Sequence, residues 1–371
     1  MAKIRVLVVD DAVVVRRIVT DVLSSDPDIE VVGTAANGRL ALQKLAGLKP
    51  DLVTLDIEMP ELDGLGTLVE LRKSHPRLPV IMFSTLTERG ASATLEALAR
   101  GATDYVTKPA NVGSVTLAQE RVRDELVPKI KALCGRVAVP ARPAPVAPRA
   151  PAPTGVAPRP ALPQRVDLLA IGVSTGGPNA LAAIIPALPA DFPLPVVIVQ
   201  HMPPVFTRFL AERLAATSRL AVREGEEGGV VEPGVVWVAP GSSHMVLARE
   251  GEGLRLRLTQ DPPENSCRPA VDPLFRSAAT HLGQRTLALV LTGMGQDGLR
   301  GVEEIRKAGG VVLAQDEASS VVWGMPGAVV GAGLADVVLP LEKVAAELIQ
   351  RAGVGRLARI GGGPPATVGA R

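Results

Sequence analysis

The chain has 371 residues, of which 47% are hydrophobic and 21% charged, enough for two to three packed domains of about 150 residues each and too apolar for a globally disordered chain. Lys and Arg number 40 against 38 Asp and Glu, a net charge of +2, which gives no reason to expect a nucleic-acid coat. No apolar run reaches the roughly 18 residues of a membrane helix, and the opening MAKIRVLVVDDA runs into a strand pattern and acidic residues, unlike a secretion leader. A soluble, cytoplasmic protein is expected. The two cysteines, Cys134 and Cys267, lie far apart and form neither a disulfide framework nor a zinc pattern.

From the start of the chain, apolar runs and helical patterns alternate. IRVLVV (4–9), IEVVG (29–33), DLVTL (51–55), PVIMF (79–83) and TDYV (103–106) read as short strands. Between the first two, Val15, Ile18, Val19, Val22 and Leu23 follow i, i+3, i+4, i+7, i+8 spacing, one face of a helix. Strands that are apolar throughout are covered on both faces, so the spacing predicts a flavodoxin-like (βα)5 parallel sheet over 1–125.

Residues 126–165 read as a helix end followed by a linker. Nine prolines fall within 140–163, and proline, which lacks an amide proton and fixes φ, favours solvated extended chain there. The alternation resumes with VDLLAIGV (166–173), a helix from Pro178, PVVIVQ (195–200) and a helix near 205–216. A β-rich excursion follows with GVVWVA (234–239), HMVLAR and LRLRL. Then come a helix near 271–283, strand TLALVLT (286–292), a helix near 298–308, strand GVVLAQ (310–315) and a late strand near 336–339. Residues 166–353 are therefore expected to form a second, larger, mostly parallel α/β sandwich, and the Gly/Pro-rich stretch 354–371 a disordered tail.

Doubly wound sheets bind ligands beyond the carboxyl ends of their strands. In the first domain those ends carry Asp10-Asp11, Asp56, Ser84 and Lys108-Pro109. Three carboxylates meeting on one edge repel each other unless a cation lies among them, which points to a hard ion such as Mg2+. An aspartate beside such an ion can attack a phosphoryl donor, and a hydroxyl and a lysine can hold the oxygens that are added.

In the second domain Gly172-Val173-Ser174-Thr175-Gly176 fits G-x-S-x-G between a strand and a helix, a turn that exposes a serine hydroxyl. Helix-terminal amides at such a turn can stabilise an oxyanion, although a Gly-rich turn that merely binds an anion has the same pattern. Of the four histidines, His75 is outside this domain, His281 lies on an apolar helix and His244 opens a strand after a Gly-Ser turn. His201 directly follows PVVIVQ, so it shares the edge with Ser174 and is the favoured base; Asp297 in LTGMGQDG follows another apolar strand and is the favoured orienting acid. The order Ser…His…Asp differs from the Ser…Asp…His of α/β-hydrolases, so an ordinary lipase fold is not expected. An alternative reading takes Gly293, Gly295 and Gly298, with Asp316 about 20 residues on, as a dinucleotide fingerprint.

The first-domain set resembles the receiver domains of response regulators. With STGGP, QHMPP and TGMGQDG after it, the whole chain outside linker and tail resembles the chemotaxis protein-glutamate methylesterase/glutamine deamidase (CheB) family. That resemblance implies Asp56 as the phosphorylated residue and Asp10, Asp11, Asp56 and the main chain of Glu58 as the Mg2+ site. Ser84 is implied as the switch hydroxyl, Tyr105 as the switch aromatic and Lys108 as the phosphate-sensing lysine. It further implies Ser174 as nucleophile, His201 as base, Asp297 as acid, and amides around Thr175 and Met294 as the oxyanion hole, with no cofactor for hydrolysis. The substrates would be γ-glutamyl methyl esters and certain glutamines on chemoreceptors, the phosphodonor a chemotaxis histidine kinase, and the unphosphorylated receiver a cover over the catalytic face. The same chemistry on a receptor outside chemotaxis is the alternative. A transcriptional output is not expected, since no helix-turn-helix pattern follows the linker.

Overall fold

The computed structural model describes residues 2–108, 114–135, 164–251 and 253–356; the proline-rich stretch 140–163 and the tail beyond 356 lie outside the described residues. The first unit alternates β1 (Ile4–Val9), α1 (Val13–Ser24), β2 (Ile29–Ala35), α2 (Gly38–Leu48), β3 (Leu52–Asp56), α3 (Gly64–Ser74), β4 (Val80–Ser84), α4 (Glu88–Ala99), β5 (Asp104–Thr107) and α5 (Val115–Leu133). The strands pair in parallel in the order β2-β1-β3-β4-β5. Successive side chains of a strand point to opposite faces. Thus Ile4, Val6 and Val8 pack with Val19, Val22 and Ile130 of α1 and α5, while Leu7 and Val9 pack with Leu45, Leu68 and Leu95 of the other helices. Asn37, Asp63, Thr87 and Ser114 cap α2 to α5 by accepting main-chain amides.

The second unit comprises β6 (Leu168–Val173), α6 (Gly177–Ile184), β7 (Val196–Gln200), α7 (Phe206–Thr217), β8 (Ala221–Glu224), β9 (Val235–Val238), β10 (His244–Glu250), β11 (Gly253–Thr259), α8 (Val271–Leu282), β12 (Thr286–Val290), α9 (Leu299–Lys307), β13 (Val311–Gln315), α10 (Met325–Gly331), β14 (Val337–Leu339) and α11 (Leu341–Gly353). Seven strands form a parallel sheet in the order β14-β13-β12-β6-β7-β9-β8. The β-rich excursion divides: β9 joins this sheet beside β7, and only β10 and β11 form a separate antiparallel hairpin. β9 is buried along most of its length, as an interior parallel strand must be, whereas the hairpin is only partly buried, β10 at its first residues and β11 mainly at Leu256.

β6 lies between β12 and β7, so the chain leaves their carboxyl ends into one crevice, the position where open α/β sheets bind ligands. The two units touch through α4, which packs on α6 and α7, the helices that follow Ser174 and His201. At this contact Tyr105 stacks on Phe206 with ring centroids 5.1 Å apart, Arg213 donates to the Leu95 carbonyl at 3.0 Å, and Arg208 pairs with Glu88. Among the described residues no helix is long and apolar enough to cross a membrane.

Candidate active site and phosphoryl-acceptor site

Ser174 leaves β6 in a tight turn. Its amide donates to the Thr292 carbonyl at 3.0 Å and its carbonyl accepts from Gly177 at 2.8 Å. Gly176 has φ +79, the left-handed region that glycine enters without cost, and an ideal Cβ on Gly177 would lie 1.9 Å from Gln200 Oε1, so the turn needs both glycines. Pro178 occupies the first turn of α6, where its missing amide costs little.

In the β6–β7 register Val173 pairs with Gln200, which puts Ser174 and His201 side by side on strands about 4.8 Å apart. The buried Gln200 amide nitrogen bridges the two, donating to the Ser174 carbonyl at 2.9 Å and the His201 carbonyl at 3.3 Å. Among the described residues no hydrogen bond joins the Ser174 hydroxyl to the imidazole; in such sites that bond commonly forms only with substrate bound.

Asp297 reaches the same edge from the loop after β12. Its Oδ2 faces His201 Nε2 at 2.7 Å and accepts the Val271 amide at 2.6 Å. Its Oδ1 accepts the Asn265 side chain at 2.9 Å and the amides of Asp272 and Gly298 at 3.1 and 2.9 Å. The carboxylate is 2% exposed and receives five donors. Burial alone would raise its pKa, but the imidazole and the surrounding amides outweigh that and hold it below the ordinary range. Burial disfavours the His201 imidazolium, yet Asp297 and the Cys267 thiol, which lies against the ring, outweigh burial and raise it. With Nε2 turned to Asp297, the neutral ring carries its proton there and its lone pair on Nδ1.

The loop carrying Met294 packs directly on the serine: a Cβ on Gly293 would lie 2.8 Å from Ser174 Cβ. Thr292 ties the two loops, its hydroxyl donating to the Thr175 carbonyl at 2.9 Å and accepting from the Val322 amide at 3.0 Å. Among the described residues the amides of Thr175 and Met294 have no internal acceptor.

The Gly293–Gly298 loop is not shaped for a dinucleotide. Its Gly298 amide is engaged by Asp297, Ser174 and Met325 fill the space over Gly293, and Asp316 accepts the Ser319 amide and hydroxyl instead of reaching into a crevice. His244 is a structural residue: buried, it faces the Pro262 carbonyl through Nε2 at 3.1 Å and accepts the Ala270 amide through Nδ1 at 3.2 Å. His281 lies in the last turn of α8, where its carbonyl accepts from Arg249.

In the first unit, ligand atoms of Asp10, Asp11 and Asp56 lie within 4.8 Å of one another at the ends of β1 and β3. Lys108 Nζ is 2.6 Å from Asp56 Oδ2 and 3.3 Å from Asp10 Oδ2, so the ammonium is the cationic partner of both buried carboxylates. Burial pushes Asp56 up to about 6, with Lys108 opposing and Asp10 adding. A divalent cation fits this oxygen-rich, charge-repelling donor set. The Glu58 amide donates to Asp56 Oδ1 at 3.3 Å, and the Glu58 side chain pairs with Arg89. Ser84 is buried and donates to the Gly90 carbonyl at 3.0 Å; Tyr105 is buried, with Lys129 Nζ 5.1 Å from its ring centroid.

The sequence motifs did not single out Gln200, Cys267, Asn265 or Asp272. Gln200 had one visible signal, an amide closing a wholly apolar run just before the histidine.

Comparison with known proteins gives the same two-part division. Residues 6–119 match the model of the response regulator receiver domain, and residues 169–348 match that of the CheB methylesterase. The molecule is thus a response regulator whose output domain is of the methylesterase kind. The protein-glutamate methylesterase/protein-glutamine glutaminase of Trichodesmium erythraeum is 52% identical over 356 residues, covering 95% of this chain and 100% of that protein. Its namesake in a Nocardioides species is 56% identical over 353 residues, 95% and 96% of the two chains. The crystal structure of the Thermotoga maritima CheB methylesterase catalytic domain is 45% identical, covers 50% of this chain and 98% of that one, and superposes with a TM-score of 0.49. The chain belongs to the protein-glutamate methylesterase/protein-glutamine glutaminase family.

Proposed function

We propose that the chain hydrolyses glutamate γ-methyl esters, and deamidates certain glutamines, on chemoreceptors in the cytoplasm, and that phosphorylation of Asp56 by a chemotaxis histidine kinase activates it. The observation that carries the hydrolase half is the meeting of Ser174, His201 and a five-donor Asp297 at the carboxyl ends of β6, β7 and the loop after β12.

In this reading His201 Nδ1 takes the Ser174 proton as Oγ attacks the ester carbonyl, and Asp297 holds the ring in the required tautomer and stabilises the imidazolium. The amides of Thr175 and Met294 receive the developing oxyanion. The imidazolium returns its proton to the leaving methoxide, methanol departs, and water attacks the acyl-serine through the same base to release glutamate and free serine. A methyl ester is a reactive acyl group and needs no metal from the hydrolase residues. Ammonia replaces methanol when a glutamine is the substrate.

The domains are 1–125, the receiver, and 166–353, the catalytic unit, with the 126–165 connection between them. In the receiver, Asp10, Asp11, Asp56 and the main chain of Glu58 would hold Mg2+, which neutralises the phosphoryl and carboxylate charge when bound. Asp56 accepts the phosphoryl group, Lys108 moves from the carboxylates to the added oxygens, and Ser84 turns from Gly90 toward them. Tyr105 then leaves Phe206, and the α4 contact over α6 and α7 loosens.

The test is methanol release from methylated receptor membranes, with and without a phosphodonor. Ser174→Ala is expected to abolish release under both conditions while leaving the unfolding transition unchanged. Retained release removes Ser174 as the nucleophile.

A further inference from the structure

Between β11 and α8 runs a strap, residues 262–270, that ends beside the active site. Glu264 and Cys267 exchange main-chain hydrogen bonds of 3.1 and 2.8 Å across a two-residue turn, in which Asn265 (φ 50) and Ser266 (φ 63) are both left-handed. Asn is among the few residues that adopt this backbone readily. The strap is anchored on three sides. The Arg276 guanidinium grips the Glu264 carboxylate with contacts of 2.9 and 2.5 Å, and His244 binds Pro262 and Ala270 at its two ends. Its outcome is to bring one amide between two buried acids: Asn265 Nδ2 lies 2.9 Å from Asp297 Oδ1 and 3.0 Å from Asp272 Oδ2.

We propose that Asn265 is a positioning residue of the hydrolase site, whose side-chain amide separates the Asp272 and Asp297 carboxylates and thereby keeps Asp297 ionised and aimed at His201. The inference rests on the triad reading above. Both acids are almost wholly buried, at 1% and 2% exposure, so their mutual repulsion is poorly screened. Asp272 Oδ1 already accepts the Gly301 amide, and Asp297 Oδ2 is taken by His201 and Val271. The two N–H groups of one amide are shared between Asp272 Oδ2, for which no other donor is found among the described residues, and Asp297 Oδ1, which also takes the Asp272 and Gly298 amides. Without them the pair relaxes either by taking up a proton or by rotating Asp297 about its side chain, and each route weakens the support of the imidazolium formed during acyl transfer. The charged or titratable groups facing this point are Asp272 and Arg276 from α8, Asp297 after β12, His201 after β7, and Glu264 and Cys267 on the strap.

Two variants in the full-length enzyme separate this role from a structural one. Asn265→Gly keeps the left-handed turn but removes the amide. Asn265→Asp keeps the shape but donates only while protonated. In methanol-release kinetics Asn265→Gly is expected to lose about tenfold or more in kcat with KM within about twofold, as for loss of an orienting partner. Asn265→Asp, whose protonated carboxyl offers one O–H in place of two N–H groups, is expected to come closest to wild type near about pH 5 and to fall progressively further behind it toward about pH 8, as a third carboxylate ionises. A Ser174→Ala control is read alongside, with thermal unfolding of every variant. Asn265 variants matching wild type in kcat across that range, or a loss in Asn265→Asp that is independent of pH, overturn the inference while a silent Ser174→Ala leaves the triad standing. An active Ser174→Ala overturns the triad reading and this inference with it.

Discussion

Replacing Asp297 with Asn tests the site at its most constrained point. The carboxylate faces two donors on Oδ2, His201 and Val271, and three on Oδ1, from Asn265, Asp272 and Gly298. An asparagine offers one oxygen and one NH2, so one side must confront donors. Opposing a buried N–H costs about 1–3 kcal/mol. With the oxygen on the Oδ1 side, one fixed amide (Val271) is opposed and the imidazole can adapt by shifting its proton to Nδ1. With the oxygen on the Oδ2 side, three donors are opposed, at roughly three times the cost. The first orientation therefore wins, and it moves the ring proton onto the nitrogen that should take the serine proton. The expected result is a fall in kcat of about 10^4, or about 5.5 kcal/mol of barrier, as when such a triad acid becomes an amide in other Ser-His-Asp enzymes. Stability should fall by about 1–3 kcal/mol, lowering the catalytic-unit Tm by about 2–12 °C. Methanol release measures the first and thermal unfolding the second, with the His201 tautomer read from 15N chemical shifts. A variant within about tenfold of wild-type kcat, or an unchanged tautomer, refutes this reasoning.

The Cys267 thiol helps raise the His201 pKa, so Cys267→Ala should lower it and move the acidic limb of kcat/KM to lower pH, visible in the pH–rate profile. The linked stability has a definite sign: because the folded-state value is raised, the favourable contribution is full below the unfolded pKa and is lost as pH rises through the folded one, so this variant should be most destabilised on the acid side in denaturant titrations. Gly177→Ala drives a methyl into Gln200 Oε1 and displaces the amide bridging Ser174 and His201. It should cost about 1–3 kcal/mol of stability in urea unfolding and most of the methanol release. Mg2+ at about 100 times its Kd should stabilise the receiver by about 2.7 kcal/mol in thermal unfolding, and Asp10→Ala should remove the shift.

How much of this was legible beforehand follows from what kind of information each residue carries. Asp10, Asp56, Ser84, Ser174 and His201 each close or follow an apolar run, and in a parallel sheet that position alone delivers a side chain to the ligand-binding edge. Asp297 could be picked out the same way, in the loop after β12. Neither the participation of Cys267 nor that of Asn265 has such a signature. They sit in a strap with no periodicity, dozens of residues from the histidine and aspartate they serve, and only the anchoring of that strap by His244 and Arg276 brings them there. The dinucleotide pattern at 293–298 fails for the same reason: glycine spacing records where the backbone turns tightly, not which atoms occupy the space beside it.

By itself, then, the order of apolar runs and the residues that close them determined two parallel α/β units, one edge rich in carboxylates and another bearing an alcohol, an imidazole and an acid. These are consequences of strand periodicity and connection handedness, which are local and repeat along the chain. Tertiary structure alone decided that Nε2 rather than Nδ1 of His201 faces Asp297, that five donors converge on that carboxylate, that β9 joins the large sheet, and that Tyr105 meets Phe206. Those outcomes depend on side-chain torsions and on contacts between residues far apart in the chain, quantities to which local pattern is blind.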